Sequence, residues 1–254
     1  MRQTVLQQGR FFLKDSVRKS IDFSMTDQSR GVAPPPMEKP FKEDATRIDL
    51  VPPRSGWETI GRIDLASAIQ NRRSRRSFRD EPLTIDELSF LLWATQGIQQ
   101  RLDTGHALRT VPSAGCRHSL ETYLGIRNVT GIDRGLYRYL PVEHQILLEC
   151  RDSRLAEKIV GASFGQGYPG EAAVTFLWTA VPYRMEWRYG GAAHKVIALD
   201  AGHVCQNLYL ACEAIGAGTC AVAAYDQEEM DQVVGVDGTE EFVIYLAPVG
   251  KVAN

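Results

Sequence analysis

The stretch NRRSRRSFRD, residues 71–80, sets five guanidinium groups (Arg72, Arg73, Arg75, Arg76 and Arg79) within eight residues of a 254-residue chain whose formal net charge is −2. A local cationic excess in a near-neutral protein asks for a local anion, and three readings compete. Cations that follow a helix complement the negative end of its dipole and can simply be solvated. A basic patch can hold nucleic acid. The planar donor fork of arginine can also grip a phosphate. Ser74 interrupts the arginines with a hydroxyl, and the segment is expected at the start of a turn just after a short helix, where several donors can converge on one anion. Nucleic acid would want the patch extended across a face, and the rest of the chain does not extend it. The phosphate of a small cofactor fits best. A nucleic-acid-binding protein using the Arg72–Arg79 cluster is the alternative from another class.

Other stretches carry weaker chemistry. In RTVPSAGCRHSLE, residues 109–121, Pro112 and Gly115 bracket two small residues, Ser113 and Ala114. Small residues let a backbone approach a flat ligand, and Ser113 offers a hydroxyl. Cys116 is the only cysteine in this loop; Arg117 and His118 beside it would favour a thiolate, but it reads as a passive pocket thiol. GAGTCA, residues 216–221, fits the G-x-G-x-x-G/A pattern but follows a helix instead of a strand, so Gly216 reads as a helix terminator and not as part of a dinucleotide site. His203 and Asn207 lie four apart on a helix and read as polar groups at a packed interface; no metal site is expected.

The elements that must position these groups follow from local patterning. Asp64 is a candidate N-cap for a helix over DLASAIQNRRS with Leu65, Ala68 and Ile69 on one face. Thr84 and Glu87 form a capping box for a helix that carries Leu88, Leu91, Leu92 and Thr95 on one side and stops at Gly97. LETYLGIRNV reads as a strand, GLYRYLPVEHQILLEC as a hairpin turning at Pro141–His144, and EAAVTFLWTAVP and TEEFVIYLAPVGK as buried strands. Asp200 is read as the cap of a helix over DAGHVCQNLYLACEAIG. Strands and helices mix without βαβ alternation, which predicts an α+β fold.

Residues 1–60, with their proline clusters GVAPPPMEKP and LVPPRSGW, are read as an extended N-terminal arm, and 61–254 as the folded body. Five cysteines, odd in number and without a C-x-x-C pair, argue against a disulfide framework and for a reducing, cytoplasmic setting. The apolar run Phe11–Leu13 is too brief for a signal-peptide core, and no stretch approaches the roughly 18 apolar residues of a membrane span.

Five motifs in order, NRRSRRSF, DELSFLLWATQGI, RTVPSAGCRHSLETYL, DAGHVCQNLYLACEAIGAGTCAV and LAPVGK, resemble the nitroreductase superfamily and, within it, the branch of the SagB-type dehydrogenases. The resemblance covers roughly residues 62–252. It implies a nitroreductase-like α+β fold, a central, mostly antiparallel sheet flanked by helices, in an intertwined homodimer with FMN at the subunit interface. Arg72, Arg73, Ser74 and Arg76 match an R-R-S-x-R motif that would hold the FMN phosphate and ribityl chain and reach the polar edge of the ring. Pro112, Ser113, Ala114 and Gly115 would approach the flavin from the partner subunit. Ala221, Val222, Ala223 and Ala224 would offer backbone groups along the isoalloxazine, and Lys251 would lie near the phosphate. The implied activity is an FMN-dependent oxidoreductase that takes hydride from NAD(P)H and passes it to a small organic acceptor, nitroaromatic or quinone.

Two departures stand out. Members read P-S-A-G, then a small residue, an aromatic and a proline, where this chain has Cys116, Arg117, His118 and Ser119; a polar or anionic substrate is the expectation. Azoline-oxidising members carry a Lys-Tyr pair before a glycine, matched here by Arg188, Tyr189 and Gly190. Arginine stays protonated and cannot act as a base. Azoline oxidation of a peptide is therefore only the second enzymatic reading; the catalytic candidates of the flavin enzyme are Arg76, which would stabilise the anionic reduced flavin, and Tyr189 as the proton donor.

Overall fold

Two strands buried along their whole length form the centre of one sheet. In the computed structural model, which describes residues 4–53, 57 and 60–253, β4 (Leu120–Ile126) and β7 (Val174–Ala180) are buried at every position. A strand covered on both faces has no polar side to alternate with. Around them, β1 (Arg47–Asp49), β5 (Gly135–Leu140), β6 (Gln145–Cys150), β8 (Ala217–Thr219) and β9 (Phe242–Lys251) complete a seven-stranded sheet ordered β1-β6-β5-β4-β7-β9-β8. All neighbours in it run antiparallel. A separate ribbon pairs β2 (Ile98–Arg101) with β3 (Ala107–Arg109).

The β5–β6 turn falls at residues 141–144 as the sequence predicts, with His144 at φ +54°. Its ring bridges two elements: Nδ1 accepts from the Tyr139 hydroxyl at 2.8 Å, and Nε2 donates to the Val51 carbonyl at 3.0 Å.

Helix α3 (Ile85–Gln96) begins with the expected reciprocal cap, Thr84 Oγ1 accepting from the Glu87 amide at 3.2 Å and Glu87 Oε2 from the Thr84 amide at 2.9 Å. Leu88, Leu91, Leu92 and Thr95 are all fully buried, and Gly97 ends the helix. Each buried leucine contributes about 2 kcal/mol of apolar transfer free energy. Helix α3 packs on α7 (Ala193–Ala214), the spine of the molecule. At 22 residues, α7 is about 33 Å long.

Two expectations are corrected here. Asp200 does not cap α7; the helix begins seven residues earlier, after Gly190 and Gly191, and Asp200 is a buried side chain in its interior. In α2 (Leu65–Asn71) the Asp64 cap forms, its carboxylate accepting from the Ser67 amide at 2.9 Å, but of the apolar row only Ala68 is buried. Leu65 and Ile69 are 66% and 57% exposed.

The chain before residue 54 opens with α1 (Val5–Leu13), which buries none of its residues, and then crosses the body. Its proline-rich part has surplus carbonyls and few donors, and arginines, which only donate, meet it from below. Arg117 donates to the Pro35 carbonyl, Arg109 to that of Met37, and Arg138 to those of Lys39 and Pro40. All three side chains are buried. Their charge is balanced by buried Glu121, which accepts from Arg184 and from the Lys39 amide and lies 3.7 Å from Arg138, and by Glu149. Glu241 takes the Lys39 ammonium, the Thr179 hydroxyl at 2.6 Å and the Tyr123 hydroxyl at 3.2 Å.

The remaining helices are α4 (Leu155–Ala162), α5 (Tyr168–Glu171), α6 (Tyr183–Tyr189) and α8 (Gln227–Val234). Among the described residues no helix is long and apolar enough to cross a membrane. Gly216, at φ +60°, follows the last turn of α7 as a left-handed terminator, and β8 comes after it. The order helix, glycine, strand is the reverse of a dinucleotide-binding turn.

Candidate active site

The arginines do not sit in a turn. Residues 72–76 run extended, bridged in parallel to β8 by the pair Ser74 and Thr219, with the Arg75 amide donating to the Thr219 carbonyl at 2.9 Å. An extended chain points successive side chains to opposite faces. Arg72, Ser74 and Arg76 share one face: the Arg72 guanidinium lies 5.4 Å from the Tyr209 ring, Ser74 Oγ 3.0 Å from the Tyr209 hydroxyl, and the Arg76 guanidinium 5.9 Å from the Tyr168 ring. Arg73 and Arg75 face the other way, onto a cleft of about 500 Å³ shared with Glu213 and Val252. Arg79 pairs with Glu81 at 3.1 Å. Arg72, Arg73, Arg75 and Arg76 form no ion pair among the described residues.

Beside the Arg72 face runs the segment 221–224. The Ala221 amide donates to the Tyr209 hydroxyl at 2.9 Å, and Val222 is pinned to Leu246 by two backbone bonds. Ala223 and Ala224 are exposed. Gln166 holds the end of the segment, its amide donating to the Ala224 carbonyl at 3.0 Å while its oxygen accepts from the Tyr168 hydroxyl. Tyr209, Tyr168 and Gln166 were not singled out from sequence. Tyr209 alone left a trace there, a large aromatic off the apolar row of its helix.

Lys251 stands elsewhere. Its ammonium is held by Glu87 on α3 and by the Ile215 carbonyl at the end of α7, and not by the row of Arg72, Ser74 and Arg76.

The P-S-A-G loop lies further along α7, against Asp200. Burial raises the Asp200 carboxyl above the usual range, while bonds from the Ser113 hydroxyl and the Ala114 amide oppose that rise. Gly115, at φ +62°, is tightly approached: a Cβ there would come within 2.6 Å of the Tyr189 hydroxyl and 3.0 Å of Arg188 Cδ and Nε. The structure thus brings Pro112–Gly115 and the Arg188–Tyr189 pair together within one chain. Asp200 and Tyr209 are nine residues apart on α7, about 13 Å along its axis. The arginine row and the P-S-A-G loop of one chain therefore stand apart along α7.

The residues after Gly115 turn inward. Cys116 and His118 take positive φ, +56° and +47°, and this backbone turns the polar groups inward. Arg117 is 1% exposed, donates to the Arg184 and Gly105 carbonyls, and stacks over Trp187 at 4.7 Å. His118 donates from Nε2 to the Ala107 carbonyl at 2.9 Å, and Ser119 is fully buried. Arg117 thus anchors the crossing segment and α6, and His118 ties the loop to β3. Cys116 is half-buried at the bend. Asn207 donates to the Ala94 carbonyl at 2.8 Å.

Burial, reinforced by the charge of Arg109, pushes the His118 imidazole down to about 3. The ordinary value is 6.5, so below that pH the unfolded chain takes up a proton that the native state refuses. The stability is therefore complete above pH 6.5 and falls as the pH drops toward 3, at up to about 1.4 kcal/mol per pH unit from this group. Urea unfolding at pH 7, 6 and 5 is expected to show a steeper acid loss in the wild type than in His118→Asn, which tolerates the left-handed backbone and does not titrate. Equal slopes would remove His118 from the account.

Comparison with known proteins agrees with this architecture. The nitroreductase family model matches residues 69–251. A protein of Methanocaldococcus jannaschii assigned as a nitroreductase is 31% identical over 192 residues, which are 76% of this chain and 93% of that protein. A solved structure assigned likewise from Ralstonia eutropha superposes with a TM-score of 0.67 at 25% identity, over 87% of this chain and 99% of the other. One from Anabaena variabilis gives 0.66 at 24% identity over 83% of this chain, which spans only 42% of that longer one. The fold alone is shared with the NADPH:FMN oxidoreductase of Vibrio harveyi, solved with NAD+, at a TM-score of 0.53 and 16% identity over 74% and 69% of the two chains. With its antiparallel sheet, its spine helix and its arginine row in place, the chain belongs to the nitroreductase family of oxidoreductases.

Proposed function

We propose that the protein is an FMN-dependent oxidoreductase that acts as a homodimer and moves hydride from NAD(P)H to a small organic acceptor. The observation that carries this reading is the row of Arg72, Ser74 and Arg76, three donors on one face without an acidic partner, beside the exposed backbone of Ala223 and Ala224. A dianionic phosphate with a polar ribityl chain suits such a row, since charge-assisted bonds from guanidinium are the strong ones. When bound, FMN supplies the centre that accepts and releases hydride.

The chain's own groups do the rest. Arg72 and Ser74 bind the phosphate and ribityl chain, with Tyr209 fixing both. Arg76 faces the polar edge of the ring, where a positive charge favours the anionic reduced form. The Tyr189 phenol faces the acceptor from the P-S-A-G side. The separation of that loop from the arginine row supports a dimer: the P-S-A-G loop of one copy covers the cofactor held by the arginines of the other. Exposed Leu65, Ile69 and Leu199, and an apolar groove of about 770 Å³ between Trp93 and Leu210, are surface of the kind a second copy buries. Azoline oxidation is the weaker reading, because a permanently charged arginine stands where that chemistry uses a lysine.

The test is the visible absorption of the purified protein, with chromatography of what heat releases from it. Near-stoichiometric FMN is the expected result. A colourless protein that takes up no added FMN, and that binds DNA with a steep salt dependence, would overturn the proposal in favour of the nucleic-acid reading.

A further inference from the structure

The Arg188 guanidinium has an unusual setting. It is half-buried at the end of α6, lies 5.5 Å from the Tyr189 ring, and has its Cδ and Nε against Gly115 of the P-S-A-G loop. It makes no hydrogen bond and no ion pair among the described residues, and the Tyr189 hydroxyl beside it makes no hydrogen bond either. Two donors thus reach the same point of the loop with nothing to accept from them.

Of the carboxylates on the surrounding elements, Asp200 meets the loop from α7 through the Ser113 hydroxyl and the Ala114 amide, with its Oδ2 unpartnered, and the others are engaged within the chain. Asp15, on the 3-10 turn Asp15–Ser20 that crosses here, is held by Arg18 at 2.7 Å. Glu186 on α6 accepts from His194 at 2.8 Å, Asp27 from the Tyr183 hydroxyl at 2.8 Å, and buried Glu121 from Arg184. The other charges are cationic: Arg117 and Arg188 repel one another, and Arg18 lies near enough to Tyr189 to feel it. A half-buried guanidinium without a counter-ion, beside a free phenol and among further cations, is a site for an anion that is not part of the protein.

We infer that Arg188 and Tyr189 bind the carboxylate of an anionic acceptor, so that the enzyme selects acidic aromatic substrates over neutral ones. This rests on the flavin-enzyme reading above and names the substrate class for it. Arg188 contributes the charge and a fork of donors, and the Tyr189 hydroxyl a third bond. The polar groups of residues 117–119, buried as they are, take no part.

The experiment compares 4-nitrobenzoate with 4-nitrobenzamide as acceptors for the FMN-loaded protein. It also titrates benzoate against the oxidised protein and follows the flavin spectrum. The wild type is expected to prefer the nitrobenzoate in kcat/KM by ten- to a hundredfold, the worth of one or two charge-assisted bonds. Benzoate should perturb the spectrum, less so at high ionic strength. In Arg188→Gln the preference should collapse toward one through a rise in KM for the nitrobenzoate, and the benzoate Kd should rise at least tenfold. Arg188→Lys, with charge but no fork, should fall between. A flavin-loaded wild type without preference, or a Gln variant that keeps it, overturns the inference and leaves the flavin enzyme standing. A protein that loads no flavin overturns both.

Discussion

Replacing Arg72 and Arg76 together by alanine is expected to leave a folded protein that no longer retains flavin. Both side chains stand on an extended segment and rest only on the rings of Tyr209 and Tyr168, so the core loses little. Their bonds to an anion are another matter: each charge-assisted hydrogen bond contributes about 1.5–3 kcal/mol, and two lost together weaken binding by about a hundredfold to ten-thousandfold. Gel filtration of reconstituted protein, with FMN fluorescence quenching for the Kd, measures the loss, and a thermal melt shows that the fold persists. The alternation along residues 72–76 sharpens the test. Arg73→Ala with Arg75→Ala, on the opposite face, should cost much less affinity. Equal losses from the two pairs would mean that net charge and not geometry holds the cofactor; full occupancy after losing Arg72 and Arg76 would remove the phosphate site from this strand.

Glu121→Ala is expected to be the most destabilising single change in the molecule. Its carboxylate takes bonds from Arg184 and the Lys39 amide and sits beside Arg138, and all these side chains but the lysine are buried. Removing one partner of a buried pair leaves uncompensated charge inside, at a cost of about 3–5 kcal/mol. For a chain of this size that lowers Tm by roughly 10 °C. Because Glu121 also fastens Lys39, limited proteolysis should cut the variant within residues 28–46 under conditions where the wild type resists. A melt within a degree or two of wild type would show that Arg138 and Arg184 find other partners.

Where a residue's surroundings are built from its near neighbours, the sequence was legible. The Thr84–Glu87 cap, the leucine row of α3, the β5–β6 turn and the buried run of β7 all rest on local grammar. Asp200 was misplaced because α7 starts on alanines with no capping side chain, so the first acidic residue looked like its beginning. The arginine segment was read as a turn since five residues without apolar alternation carry no strand signal; its register comes from β8, about 145 residues later. The inward turn of Arg117, His118 and Ser119 was invisible for a related reason. Nothing in that loop says that the prolines of a distant segment need donors. Which arginines serve a ligand and which serve the fold is settled by long-range partners alone.

The clasp on the proline-rich segment bears on how the chain is made. Lys39 and its partner Glu241 are 202 residues apart, and Arg109, Arg117 and Arg138 emerge long after the carbonyls they hold. At about 5–20 residues per second of synthesis, Lys39 waits some 10–40 s before Glu241 exists. Throughout that interval the Lys39 ammonium has no Glu241 carboxylate to meet it. The proline-rich segment is thus placed only after the strands that clasp it exist, and its keeping until then falls to whatever shields nascent chains.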